Sequence, residues 1–186
     1  MRIVGGEFRG RKLAQPSDQT IRPTTDRTRE SLFNILQHRD EVTLSGARVL
    51  DVFAGTGALG LEALSRGARF GLFMEKGAHG RALIRQNIET LGLTGRTKLL
   101  RRDATKTGAA GSLAAFDLVF ADPPYGKGLG PRAFESLHRG GWLAPKAVLV
   151  LEENVSDLPT AIDGFTLLDR RDMGQTAFAF FQYAAA

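Results

Sequence analysis

The segment Val49-Leu50-Asp51-Val52-Phe53-Ala54-Gly55-Thr56-Gly57-Ala58-Leu59-Gly60 joins an apolar run to a helical one through the spacing G-x-G-x-x-G. Glycines at that spacing allow a tight turn and a close approach of a ligand to the backbone. Val49 to Phe53 reads as a buried strand, and Ala58 to Arg66 as a helix closed by Gly67. Glu75 follows Gly55 by 20 residues, at the end of a second strand, Phe70 to Glu75. An acid in that place binds ribose hydroxyls. A glycine-rich turn without a ligand is the plainer alternative, and the strand, helix and acid around it argue against that.

Outward from this loop the chain alternates between strands and helices. His79 to Leu91 is a helix closed by Gly92, Thr97 to Arg101 and Phe116 to Ala121 are strands, Arg132 to His138 is a helix, and Ala147 to Glu152 a strand. Phe165 to Arg170 and Thr176 to Tyr183 form a terminal hairpin around Met173-Gly174. The alternation predicts an α/β fold, a mostly parallel twisted sheet with helices on both faces and an antiparallel C-terminal hairpin. Residues 2–13 read as an N-terminal β-hairpin extension with Gly10 near its turn. A helix begins after Pro23, capped by Thr24 or Thr25, and ends near Gln37. The expected organisation is a basic extension and linker over residues 1–22 and one main domain over 23–186.

The chain of 186 residues is 42% hydrophobic and 24% charged, which excludes disordered, collagenous and coiled-coil classes. No apolar run approaches 18 residues, so no membrane span is expected. The absence of cysteine excludes disulfides, thiolate zinc sites, iron–sulfur clusters and cysteine nucleophiles. His38, His79 and His138 are scattered, and no metal is expected. Met1 to Glu7 lacks the apolar core of a signal peptide, and the expected location is cytoplasmic. Lys and Arg number 25 against 20 acids, a net charge of +5. In residues 1–29 there are seven basic residues against three acids. Such a balance favours polyanionic partners. The exposed-type cations Arg9, Arg11, Lys12, Arg22 and Arg27 are candidates for phosphate contacts, a solvated basic surface being the alternative.

In a parallel sheet, ligands sit at the carboxyl ends of the strands. Phe116 to Ala121 runs directly into Asp122-Pro123-Pro124-Tyr125. Two prolines fix two φ angles and stiffen the exit from the sheet. Asp122 and the Pro123 carbonyl present acceptors to one amino group, and Tyr125 offers a face on which a base stacks. The set suits an exocyclic nucleobase amine, a poor nucleophile because its lone pair is conjugated into the ring. Acceptors on its two hydrogens favour a more pyramidal nitrogen, and Asp122 can pass on the departing proton. Asp51 is a carboxylate in an apolar strand, and burial demands a partner, either the loop backbone or a ligand. Asp103-Ala104 follows the third strand, where the acid either caps a turn of helix or faces the site. The glycine loop alone leaves open which adenosine cofactor binds.

These segments together resemble one family. Asp51-Val52-Phe53-Ala54-Gly55-Thr56-Gly57 resembles the first motif of Rossmann-like class I methyltransferases, and Asp122-Pro123-Pro124-Tyr125 the signature of amino-group N-methyltransferases. With Met1-Arg2-Ile3-Val4-Gly5-Gly6, Arg9 to Leu13, Arg22-Pro23-Thr24, Asp26 to Glu30 and Leu32 to Leu36, nearly the whole chain resembles the bacterial small-subunit ribosomal RNA guanine-N2 methyltransferase family. The resemblance implies S-adenosylmethionine as donor and guanine N2 of 16S rRNA, in the RNA or in the small-subunit particle, as acceptor. It implies a catalytic role for Asp122, Pro123 and Tyr125 and a cofactor role for Asp51, Phe53, Gly55, Gly57, Glu75, Asp103 and Ala104. It also implies that Phe33 and Asn34 lie near the cofactor's methionine end, and that the protein is a monomer. A DNA adenine-N6 methyltransferase is the runner-up. An NAD-dependent oxidoreductase leaves Asp122 to Tyr125 unused, and a non-catalytic RNA-binding module leaves both loops unexplained.

Overall fold

A computed structural model describes residues 1–18 and 24–184. Seven strands form one sheet: β1 (Arg48–Val52), β2 (Phe70–Met74), β3 (Thr97–Leu100), β4 (Phe116–Ala121), β5 (Leu143–Asn154), β6 (Phe165–Met173) and β7 (Thr176–Tyr183). Their order is β3-β2-β1-β4-β5-β7-β6, with β1 to β5 parallel and β7 antiparallel between β5 and β6. The helices are α1 (Asp26–Gln37), α2 (Ala58–Ser65), α3 (Ala78–Leu91) and α4 (Leu129–Gly140). The mostly parallel sheet with its antiparallel terminal hairpin is the expected fold.

Thr25 caps α1, its hydroxyl accepting from the Thr28 amide at 3.2 Å. Helix α4 starts three residues earlier than the sequence pattern indicates, because Gly128 takes a left-handed conformation and turns the chain into it. Strand β5 starts at Leu143, ahead of Pro145. Its pairing with β4 slips in register between Phe116 and Leu118, and Lys146 has φ of 61° there. A proline is tolerated at such an irregularity, where its missing N–H breaks no ladder bond.

Side chains alternate across the sheet, so both faces bury an apolar layer. Val49, Phe73, Phe120, Val150 and Phe178 meet α1, α2 and α3, and Leu50, Val52, Val119, Leu149 and Phe181 meet α4 and Trp142. Phe33 of α1 lies on Phe120, ring centroids 5.5 Å apart.

The N-terminal hairpin closes through an Arg2–Lys12 bridge and inserts Ile3, fully buried, and Leu13 into the first layer. Its anchor is Glu62 of α2. That carboxylate accepts from the Val4 and Gly5 amides at 3.0 and 2.9 Å and pairs with Arg29 at 3.5 Å and Arg66 at 2.9 Å. Arg29 also donates to the Arg2 carbonyl. Gly6 passes so close to α2 that an added Cβ would lie 1.9 Å from the Ser65 carbonyl oxygen. The hairpin therefore shares the core of the main body. The boundary expected between residues 22 and 23 lies outside the described residues.

Glu62 and Arg29 have no exposed side-chain surface. Removing one partner of a buried ion pair leaves an uncompensated charge and costs about 3–5 kcal/mol. Glu62→Ala is expected to lower the melting temperature by roughly 10 °C and to speed tryptic cleavage at Arg9, Arg11 and Lys12. A variant melting within about 2 °C of the parent, with unchanged cleavage, would show that the hairpin is held by its apolar contacts instead.

Candidate functional site

A cavity of about 420 Å³ opens at the carboxyl ends of β1 to β5. It lies where the strand order reverses between β1 and β4, the usual ligand site of such sheets. Its volume is in the range of small-molecule sites.

Asp51 faces the first layer from β1 and is 2% exposed. Its Oδ2 accepts from the Gly60 amide in the first turn of α2 at 2.9 Å. Burial pushes its pKa up to about 8; the Gly60 bond pulls the other way, and nearby Glu75 adds to the rise. Its backbone partner is this amide of α2, and the residue also lines the cavity.

Phe53 ends β1 with φ of 55°, a costly conformation for an aromatic residue and one that concentrates at functional sites. It turns the chain out of the sheet so that Ala54 and Gly55 border the cavity. Glu75 spans the loop, Oε2 accepting from Gly55 and Oε1 from Gly77, each at 2.8 Å. Each carboxylate oxygen can take a further bond. Asp103 accepts from the Thr105 hydroxyl at 2.7 Å and its amide at 2.9 Å, and these bonds hold its carboxyl below the usual range. It caps a turn; no helix follows it. Ala104 beside it is buried and lines the cavity.

The opposite wall is Asp122-Pro123-Pro124-Tyr125 at the end of β4. The Tyr125 hydroxyl donates to Glu152 Oε1 at 2.8 Å. The Thr24 hydroxyl stands 3.4 Å from Asp122 Oδ2 and 3.3 Å from Glu152 Oε2. Glu153 fixes the far end of the loop, accepting from the Gly126 amide at 3.1 Å.

Several expected site residues lie elsewhere. Gly57 serves the turn, its amide donating to the Ala54 carbonyl at 2.7 Å, and does not line the cavity. Phe33 is fully buried between Phe120 and the Arg66 guanidinium, and Asn34 is exposed on α1, so neither lines the cavity. Arg9, Arg11, Lys12 and Arg27 are exposed, and Arg22 lies outside the described residues. Thr24 and Glu152 are site residues that the motif reading missed. The signal for Glu152 was an acid closing the apolar run Val148-Leu149-Val150-Leu151, as Glu75 closes β2.

The donor set fits an adenosine cofactor that carries positive charge and no phosphate. Asp51, Glu75 and Asp103 are all acidic, and Asp51 already takes an amide at the start of α2, where a pyrophosphate would sit. Glu75 can hold ribose hydroxyls, Asp103 and Ala104 can frame the adenine, and Asp51 can meet a cationic tail. Among the described residues no group of three or more His, Asp or Glu stands where it could hold a metal ion, and no helix is long and apolar enough to cross a membrane.

Fold and site together define a Rossmann-like class I S-adenosylmethionine-dependent methyltransferase. The chain belongs to the family described as conserved hypothetical protein 95, which matches residues 1–182. It is 38% identical to ribosomal RNA small subunit methyltransferase D of Escherichia coli K12, over all of this chain and 91% of the relative. With the enzyme of the same name from Haemophilus influenzae it shares 32% identity, over 98% of this chain and 93% of that one. A solved structure from Escherichia coli superposes with a TM-score of 0.84 at 36% identity, covering 100% of this chain and 99% of that one. An RNA methyltransferase from Salinibacter ruber in complex with S-adenosyl-L-homocysteine shares the fold, with a TM-score of 0.65 at 13% identity over 87% and 94% of the two chains.

The raised pKa of Asp51 links cofactor binding to pH. In the free protein this carboxyl keeps its proton up to about pH 8, so its contribution to stability is full below the unfolded value and fades as pH rises through that range. A cationic ligand favours the ionised form and lowers the pKa, so binding releases a proton. Affinity for S-adenosylmethionine is expected to rise between pH 6 and 8, by up to about tenfold per unit, and Asp51→Asn to flatten that slope. Calorimetry in buffers of different ionisation enthalpy counts the proton. Equal slopes for parent and variant would remove Asp51 as the linked group.

Proposed function

We propose that this protein transfers the methyl group of S-adenosylmethionine to the N2 amino group of a guanine in 16S ribosomal RNA, in the small ribosomal subunit. The reading takes the enzyme as a cytoplasmic monomer. The observation that carries it is the Asp122-Pro123-Pro124-Tyr125 wall facing the acidic cofactor side of one cavity. The full-length similarity to enzymes named for small-subunit ribosomal RNA supports the choice of substrate.

In this mechanism Glu75, Asp103, Ala104, Phe53, Gly55 and Asp51 would hold the donor, which would supply an electrophilic methyl on a sulfonium and leave as the thioether, keeping the C–S electron pair on sulfur. Asp122 and the Pro123 carbonyl accept the two hydrogens of the amino group. That aims the nitrogen lone pair away from the ring plane and toward the methyl carbon. Tyr125 stacks on the base and fixes its distance. The extra proton on nitrogen leaves through Asp122 and water. Alignment supplies much of the rate, since it removes the entropy of bringing the reactants together.

Arg27 is exposed on α1, three residues after Thr24 of the cavity lining, and with Arg22 it would guide the RNA backbone. Arg9, Arg11 and Lys12 are placed differently. Their hairpin docks on Ser65 of α2 and Asn87 and Thr90 of α3, at the carboxyl ends of helices that lead away from the cavity. Contacts there require a substrate that extends around the molecule, as a folded ribosomal particle does.

Asp122→Ala is expected to reduce single-turnover transfer by at least about 100-fold with cofactor affinity nearly unchanged. Transfer within a few-fold of the parent would remove Asp122 as the amine acceptor. Tyr125→Phe should lose less than Tyr125→Ala, because stacking uses the ring. Equal losses would give the role to the hydroxyl.

Substitution of Arg9, Arg11 and Lys12 by alanine is expected to leave cofactor binding intact. It should reduce the magnitude of the salt slope of subunit binding by roughly 2–3. An unchanged slope would take these three residues off the RNA path.

A further inference from the structure

We propose that Glu152 selects the acceptor base. Its carboxylate accepts the N1–H of guanine while Asp122 accepts from the adjacent N2 amino group. The inference rests on the guanine-N2 reading above and adds the residue that makes it specific.

Glu152 is 6% exposed and lines the same cavity as Asp122 and Tyr125. One hydroxyl, that of Thr24, lies 3.4 Å from Asp122 Oδ2 and 3.3 Å from Glu152 Oε2, so the two carboxylates stand side by side on the acceptor wall. The 2.8 Å bond from Tyr125 to Oε1 orients the Glu152 carboxylate beside the ring assigned to stacking. Burying a carboxylate in a cavity wall is costly. An ionised carboxylate accepts hydrogen bonds and donates none.

That property discriminates among bases. Each of the three amino-bearing bases offers two N–H donors to Asp122 and the Pro123 carbonyl, so the Asp-Pro-Pro-Tyr wall cannot tell them apart. The ring nitrogen beside the amino group differs. In guanine N1 carries a hydrogen. In adenine N1, and in cytosine N3, carries a lone pair. A second carboxylate at that position is satisfied by guanine and faces a lone pair in the other two. A site that places a carboxylate opposite a donor discriminates against analogues that put a lone pair there, because repulsion replaces a hydrogen bond.

The test begins with the parent enzyme and unmodified small subunits. Nucleoside analysis identifies the product and maps the target. Subunits are then reconstituted with guanine or 2-aminopurine at that nucleotide. The analogue keeps the amino group but has a lone pair at N1. The parent is expected to prefer guanine by on the order of 100-fold in kcat/KM. Glu152→Gln, whose amide can donate to N1, is expected to narrow that preference to about tenfold or less. The analogue also lacks O6, but both enzymes meet that loss alike, so the ratio between them isolates the N1 contact. A variant that loses transfer to both bases equally would overturn the proposal and leave Glu152 as a support for Tyr125 and Thr24. If the variant does not bind cofactor, the parent is tested on 6-thioguanine as well, which keeps N1–H and lacks O6: slow transfer to 2-aminopurine alone supports the proposal, and equal transfer to the two analogues overturns it. A parent product other than N2-methylguanosine overturns the underlying reading, and the base selection with it, before any variant is made.

Discussion

The bond from the Gly60 amide to Asp51 ties helix α2 to the strand it follows, and the ligand side of the molecule is arranged around it. The helix can lie that close only because residue 60 has no side chain: a Cβ there would be 2.5 Å from the Phe73 ring and 3.2 Å from the Asp51 Cβ. The turn between them is then too short for ordinary backbone. Phe53, Gly55 and Gly57 all take positive φ, and Glu75 secures the result by accepting the Gly55 amide from the neighbouring strand. Strain in the loop is thus held by carboxylates at the ends of two adjacent strands. The same two side chains line the cavity.

This use of acids extends across the sheet. Asp51, Glu75, Asp103, Asp122 and Glu152 come from five successive strands or the residues just after them and border one cavity. The chain as a whole is basic, with a net charge of +5, while the cavity lining sets these five acids against two cations, Lys76 and Arg102. The excess of acids favours a cation in the cavity, and the basic balance of the chain favours a polyanion outside it. The arrangement lets a nucleic acid approach the protein by its backbone while only an uncharged base, turned out of its stack, enters the site.

Much of this was legible in the sequence because the signals were local. The glycine spacing, the acid 20 residues on and the proline pair each occupy one short stretch, and the alternation of strands and helices orders the stretches around one sheet edge. What was not legible depends on contacts across the fold. Glu152 joins Asp122 and Tyr125 only because β5 pairs with β4. Thr24 read as a helix cap, and its place on the cavity wall follows from how α1 lies across β4. Phe33 and Asn34 were placed near the cofactor by resemblance of a motif. Neighbours on a helix point about 100° apart, and here one enters the core and the other meets solvent. Asp26 three residues before Arg29 is a local partner, but the burial of Arg29 was not legible, since it depends on Glu62 of another helix.

The same long-range contacts join the N-terminal hairpin to the reacting groups. Asn87 of α3 donates to the Ala14 carbonyl at 3.1 Å and to the Thr56 carbonyl in the glycine loop at 3.0 Å. Arg29 donates to the Arg2 and Thr24 carbonyls. One side chain therefore holds the exit of the hairpin against the cofactor loop. Another holds its entry against the residue that stands between Asp122 and Glu152. Amides and guanidinium groups bonded to backbone in this way tolerate little displacement, because each broken bond leaves a buried polar group unpaired. Through these two side chains the hairpin is tied to both walls of the cavity.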